Sequence, residues 1–210
     1  MRLREKAGNE KIPFITVLLV VANILAFFYT EMNGSSLDAD YMISAGAMYG
    51  PAFLDGHEYY RVFTHFFLHF GFEHLANNMI SLVVLGYALE NRIGRGWFCF
   101  IYMFSGIFAG LVSVFYNMSG YHERVLCGAS GAIYGLMGAL LVVLIINRRN
   151  NLQKEAFRFL LYVVLILYSG MQDSGIDNTA HVGGFLAGFL ICVIMCMIKN
   201  MFTDRKEQVI

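Results

Sequence analysis

Six apolar runs, at about 13–30, 75–90, 97–116, 126–146, 156–171 and 179–198, leave this chain few ways to fold. In lipid every backbone N–H and C=O must find its partner within the chain, so a run of roughly 20 apolar residues is expected to become a spanning helix. The second and fifth runs are short for that task and are expected either to tilt less or to borrow length from their polar-looking flanks. Composition agrees with this solvent, since 58% of the 210 residues are hydrophobic and only 14% are charged. The formal net charge is zero, which offers no large basic surface for nucleic acid. The expectation is an all-α, polytopic membrane protein: one membrane domain over 1–210, six spans, and a lipid bilayer around it.

Lys and Arg give the orientation, because they concentrate at the cytoplasmic ends of spans. Arg2, Arg4, Lys6 and Lys11 precede the first run, and Arg92 and Arg95 follow the second. Arg148, Arg149, Lys154 and Arg158 follow the fourth, and Lys199, Arg205 and Lys206 the sixth. Only Arg61 and Arg124 fall in the alternate loops, so both termini, 1–12 and 199–210, are expected in the cytoplasm. The basic N-terminus followed by an apolar run has the look of a signal peptide. No small-x-small cleavage site closes it, and it is read as a retained anchor. The longest connection, 31–73, is predicted to be external. Its second half is crowded with aromatics from Tyr59 to Phe67, which predicts an interfacial or partly embedded element. Cys99, Cys127, Cys192 and Cys196 follow no disulfide or zinc spacing and are read as packing residues.

Polar groups inside spans are costly and by default mark function. With the predicted topology, His74 opens the second span, Ser130 lies near the start of the fourth and His181 near the start of the sixth. All three helices start externally, so a serine and two histidines are placed at one shallow level. His74 and Asn78 are four apart and project from one helix face, as do Ser130 and Tyr134. Gly131-x-x-x-Gly135 on the fourth span and Gly184 with Gly188 on the sixth form smooth strips that let backbones approach in lipid. That approach would carry the His181 imidazole towards the Ser130 hydroxyl.

The chemistry that fits is nucleophilic acyl transfer, in which a neutral His takes the serine proton and later protonates the leaving amine. No carboxylate lies in a span to orient His181, so a Ser–His dyad is expected, with Tyr134 able to fix the ring by stacking. His74, Asn78 and the Ser130 backbone N–H at a helix N-terminus are the candidate oxyanion donors. Each feature alone has a plainer reading. Small residues around a membrane serine are usually packing, and Gly128-Ala129-Ser130-Gly131-Ala132 fails the G-x-S-x-G elbow. His65 and His69 stand four apart without a carboxylate partner, so they are read as structural or interfacial, and no metal is expected. A zinc protease would need H-E-x-x-H, and an aspartyl type would need paired aspartates in spans; neither is present. A transporter would more typically show repeats and broken helices at midplane.

Taken together, these residues resemble the rhomboid intramembrane serine proteases in their minimal six-helix form. The resemblance rests on His65-x-x-x-His69-x-x-x-x-His74-x-x-x-Asn78, on Gly128-Ala129-Ser130-Gly131 with Tyr134, and on Ala180-His181-Val182-Gly183-Gly184 with Gly188. Glu90-Asn91-Arg92-Ile93-Gly94 is also similar to the family pattern. The resemblance implies a Ser130 nucleophile, a His181 base and an oxyanion site of His74, Asn78 and the Ser130 amide. It implies that Tyr134 packs on the His181 ring, that Gly128 permits a tight loop, and that single-pass membrane proteins are cleaved near their outer end without any cofactor. It also implies that the fifth span and the loop before His181 move to admit substrate. The family often has Trp-Arg in the first loop where this chain has Tyr60-Arg61, so the loop's anchoring is expected to differ. A catalytically silent relative that binds transmembrane helices is the alternative; intact Ser130, His181, Gly128 and Asn78 speak against it. A bacterial cytoplasmic membrane is the expected location, and oligomeric state and substrate identity are open.

Overall fold

The computed structural model describes residues 12–118, 124–146, 157–159, 161 and 177–207, and among them helices dominate. Three helices are long and apolar enough to cross a bilayer: α1 (Phe14–Asn33), α6 (Arg95–Met118) through Tyr116, and α8 (Asn178–Glu207) through Ile198. α5 (Gly71–Ile93) has the length, at 23 residues, but carries Glu73, His74, Asn77, Asn78, Glu90, Asn91 and Arg92. These polar residues interrupt the apolar run without interrupting the helix, so α5 borrows length beyond 75–90 from its polar flanks, one of the two ways expected for a short run. α7 (Ser130–Ile146) is apolar but only 17 residues long. The fifth expected span, 156–171, lies outside the described residues apart from 157–159 and 161.

A helix that is apolar all round belongs in the middle of a bundle, and α7 occupies that place. From Gly131 to Leu144 every residue of α7 is buried, against α5, α6 and α8. The outer helices are amphipathic in the opposite sense to a soluble protein. Val17, Leu18, Val21 and Leu25 of α1, Ile80, Val83 and Val84 of α5, and Leu186, Leu190 and Ile194 of α8 are exposed. Apolar exposure on this scale would drive aggregation in water and is the matching surface for lipid tails.

Two boundaries differ from expectation at the entry to α7. The fourth span was expected from 126, yet Val125–Leu126 form a short strand (β2) and the helix starts only at Ser130. β2 pairs antiparallel with β1 (Met48–Tyr49), Met48 opposite Leu126 and Tyr49 opposite Val125. Pairing satisfies backbone groups that the helix does not yet serve. At the other end of the chain α8 continues to Glu207, so the expected 199–210 tail begins as helix.

The first loop is shorter than 31–73, because α1 runs to Asn33 and α5 begins at Gly71. Within it lie α2 (Ala39–Ser44), β1, α3 (Gly50–Leu54), α4 (Arg61–Thr64) and a 3-10 turn at His65–Phe67. Asp38 caps α2, its Oδ1 accepting from Asp40 N at 2.9 Å and Tyr41 N at 3.3 Å. The buried Arg61 guanidinium organises the rest. Its Nη1 donates to Ile43 O at 2.6 Å and Ala47 O at 2.5 Å, and its Nε to Glu58 Oε2 at 2.8 Å. A buried charge is tolerated only when paired in this way. Tyr60 also donates to Glu58 Oε2 at 2.8 Å, and this bond, with those from Arg61, holds the Glu58 carboxyl below the usual range. The tyrosine therefore anchors the loop through the carboxylate that grips Arg61.

α1 has no capping side chain of its own, since Pro13 precedes it. The cap comes from α5 instead. Glu90, 1% exposed, accepts from Ile15 N at 3.0 Å (Oε1), and from Thr16 N at 2.9 Å and Thr16 Oγ1 at 2.8 Å (Oε2). A carboxylate facing a helix N-terminus is favoured by both the free N–H groups and the dipole. Gly86, one turn earlier, lets the helices meet, because a Cβ there would lie 2.1 Å from Thr16 Oγ1. Glu90→Gln turns one acceptor into a donor facing donors, at a cost of about 1–3 kcal/mol for a buried group left unsatisfied. The expected result is a lower thermal midpoint in detergent micelles with an unchanged helix content; an unchanged midpoint would contradict the capping role.

Candidate active site

Close approach of α7 and α8 comes from glycine meeting backbone. A Cβ on Gly184 would lie 2.0 Å from Gly131 O, and one on Gly188 would lie 1.9 Å from Gly135 O. A Cβ on Gly138 would lie 2.2 Å from Phe185 O. The other side of the same strip is filled by α6, where Ala109 Cβ and Ser105 Cβ stand 2.5 and 2.2 Å from the positions that side chains on Gly131 and Gly135 would occupy.

This contact brings residues 51 positions apart together, with Ser130 Oγ and His181 Nε2 separated by 2.8 Å. Tyr134, one turn into α7, stacks on the imidazole with ring centroids 4.3 Å apart and an interplanar angle of 16°. His181 Nδ1 has no hydrogen-bond partner among the described residues. Among those residues the ring is held by the Tyr134 stack and by the Ser130 hydroxyl. The contact puts Nε2 within hydrogen-bond reach of the serine hydroxyl, the spacing that a nucleophile and its base require.

The loop before Ser130 is pinned from the first loop. Gly128 N donates to His65 O at 2.9 Å, and Ala129 N donates to His69 Nε2 at 3.3 Å. Burial pushes His69 down to about 3, so the ring is neutral and Nε2 keeps the lone pair that Ala129 needs. His65 Nδ1 lies 2.8 Å from Arg61 O, which links this loop to the Arg61 anchor. Gly128 has φ +129, and a Cβ there would fall 2.6 Å from His74 Cε1, so only glycine fits.

His74 and Asn78 therefore lie beside the serine loop, on one face of α5. The Asn78 amide donates one hydrogen to His74 O at 3.1 Å, which leaves its second N–H for another acceptor. The first-turn N–H of Ser130 has no helical carbonyl to serve. Among the described residues no three His, Cys, Asp or Glu side chains gather as a metal would require. His65 and His69, read as structural or interfacial, hold the two peptide N–H groups that precede the serine, His65 through its backbone O and His69 through its ring. The spacing of four from His65 to His69 and five from His69 to His74 was the available signal. The sequence reading also passed over Asp177, which caps α8 by accepting from Ala180 N at 3.1 Å and also accepts from the Ser113 hydroxyl.

Fold and site define a class first: a helical, multi-pass membrane protein with a half-buried serine–histidine pair where α7 meets α8. The Rhomboid domain family model matches residues 56–198, and the chain belongs to the rhomboid family. It is 35% identical to "Rhomboid protease GluP" of Bacillus subtilis (strain 168) over 187 residues, 89% of this chain and 36% of that protein. It is 32% identical to "Rhomboid protease AarA" of Providencia stuartii over 209 residues, 89% of this chain and 74% of that one. "RHOMBOID-like protein 5" of Arabidopsis thaliana is 40% identical over 142 residues, 67% of this chain and 45% of that protein. The chain thus spans less than half the length of the first and third of these relatives.

Proposed function

We propose that this protein is an intramembrane serine endopeptidase that cleaves single-pass membrane proteins with a Ser130–His181 dyad. The observation that carries the reading is the 2.8 Å contact between Ser130 Oγ and His181 Nε2 under the stacked Tyr134 ring. His181 takes the hydroxyl proton as Ser130 Oγ bonds to the peptide carbonyl carbon. The resulting oxyanion is met by His74, Asn78 and the Ser130 N–H, donors that are worth most where water is scarce. Collapse of the tetrahedral species breaks the C–N bond, and the proton passes from His181 to the departing amine. Water, deprotonated by the same imidazole, then releases the acyl group and regenerates Ser130.

In this reading the chain has six spans with both termini cytoplasmic, and the site opens to the external side. At 1.5 Å per residue α7 is about 26 Å long, less than the roughly 30 Å of hydrocarbon. In this reading Ser130, at the external start of α7, lies below the membrane surface and is reached by water from that side. A substrate helix must unwind before a peptide bond fits here, so small or helix-weakening residues are expected at the cleaved bond. The dyad needs no metal or organic cofactor.

The direct test is reaction of the detergent-purified protein with a fluorophosphonate probe, followed by peptide mass spectrometry. Covalent label on Ser130, and its loss in His181→Ala, is the expected result. A folded protein that takes no label would favour the silent, helix-binding relative instead.

A further inference from the structure

A dyad has no third side chain to hold its base, and Nδ1 of His181 is without a partner among the described residues. Among the described residues the ring's one hydrogen bond is to Ser130 Oγ, so where the imidazole sits depends on the helix that carries it. Tyr134 limits its tilt but comes from α7, and it does not set the height of α8 or the course of its first turn. His181 lies in that first turn, where helices fray most readily because their N–H groups lack helical partners.

Asp177 stands at this point and bonds in three directions. Its Oδ1 accepts from Ala180 N at 3.1 Å, its backbone O accepts from His181 N at 3.2 Å, and its Oδ2 accepts from Ser113 Oγ. The first two bonds close the turn that carries His181. The third ties that turn to α6, the helix that also packs against the Gly131–Gly135 strip through Ala109 and Ser105. One carboxylate thus connects the base-bearing turn to the helix that buttresses the nucleophile-bearing one. We infer that Asp177, with Ser113 as its anchor on α6, is a positioning residue that holds His181 in register with Ser130. Asp177 hydrogen-bonds neither the imidazole nitrogens nor Ser130; the bonds by which it places His181 run through the backbone of α8.

This inference rests on the protease reading, and its test separates the two. Wild type, Asp177→Ala, Asp177→Asn and Ser113→Ala, each as the full chain in proteoliposomes, are compared for kcat and KM on a fluorogenic transmembrane substrate. Hydrogen–deuterium exchange over 177–185 is followed in parallel and reads the tether whether or not the protein cleaves anything. Asp177→Ala is expected to lower kcat by about 10- to 100-fold, the scale on which small misplacement of a catalytic group acts. KM should stay within about twofold, because such a loss falls on the transition state, and exchange in the first turn of α8 should rise. Asn keeps an acceptor for Ala180 and gains a donor for Ser113 Oγ, so Asp177→Asn should recover most of kcat. Ser113→Ala leaves the cap intact and should give a smaller kcat loss at an unchanged thermal midpoint.

Wild-type kcat and wild-type exchange in Asp177→Ala would overturn the inference, as would an Asn variant no better than Ala. Should Asp177→Ala fail to fold, Ser113→Ala decides: wild-type kcat and exchange there would overturn the tether to α6. A wild type that neither cleaves nor takes the serine probe would overturn the protease reading alone, and the exchange data would still decide the tether.

Discussion

Ser130→Ala is expected to lower kcat on a transmembrane substrate by at least about 1,000-fold, with KM unchanged and the thermal midpoint within a degree or two of wild type. The size follows from the mechanism. Covalent catalysis is lost outright, and what survives is the modest help of the oxyanion donors and of binding. His181→Ala should cost nearly as much, because a serine hydroxyl at neutral pH is a weak nucleophile without its base. The double variant should be little worse than either single one, since two residues that act on one proton do not contribute additively. Their separation of 2.8 Å is the structural reason to expect that coupling. Equal cleavage by wild type and Ser130→Ala would sink the mechanism, and strictly additive losses would show that the two residues do not act on the same step.

The proximity of Ser130 and His181 was legible in the sequence only because two separate patterns brought them together. Span starts placed Ser130 and His181 at similar depth, and the glycine strips supplied a reason for α7 and α8 to touch. The structure adds the direction of that contact. Gly184 and Gly188 press on the carbonyls of Gly131 and Gly135, while the open side of those glycines is filled by Ala109 and Ser105 of α6. A spacing of four identifies a smooth face but does not say which neighbour each side will meet.

Less visible were the features that depend on a polar atom finding a distant backbone group. Glu90 reads as a charge at the end of an apolar run, and nothing local shows that it caps α1, 74 and 75 residues earlier in the chain. The same is true of His69, whose neutral ring binds Ala129 N across 60 residues. The start of α7 was misjudged for a related reason, whereas α5 took its extra length from polar flanks, one of the two ways expected for its short run. Hydropathy counts side chains, whereas a helix ends where backbone hydrogen bonds go elsewhere. At 125–126 they go to β1, and towards the ends of α5 Asn78 and Glu90 are buried with partners, His74 O for the one and Ile15 and Thr16 for the other. The apolar pattern thus sets which segments are helical, and the polar exceptions set how the helices are fastened to one another.

The fastening most sensitive to a single atom is Gly188, and Gly188→Ala is expected to be among the most damaging conservative substitutions in the chain. Its new Cβ would begin 1.9 Å from Gly135 O. Relief requires α7 and α8 to separate by more than about 1 Å, because the obstacle is backbone and cannot rotate away. Overfilling a packed interior usually costs about 1–3 kcal/mol, and here the upper end applies. The kinetic effect should be larger still. Ser130 and His181 ride on the two helices being forced apart, and a displacement near 1 Å between reacting groups costs on the order of 100-fold in rate. Gly96→Ala provides the contrast, since a Cβ at Gly96 in α6 meets nothing within 4 Å. There the same change should be neutral or stabilising by up to about 1 kcal/mol through helix propensity alone. Parallel measurement of thermal midpoint and kcat for the two variants checks the argument. Equal behaviour would mean that backbone contact between α7 and α8 does not set the geometry of the dyad.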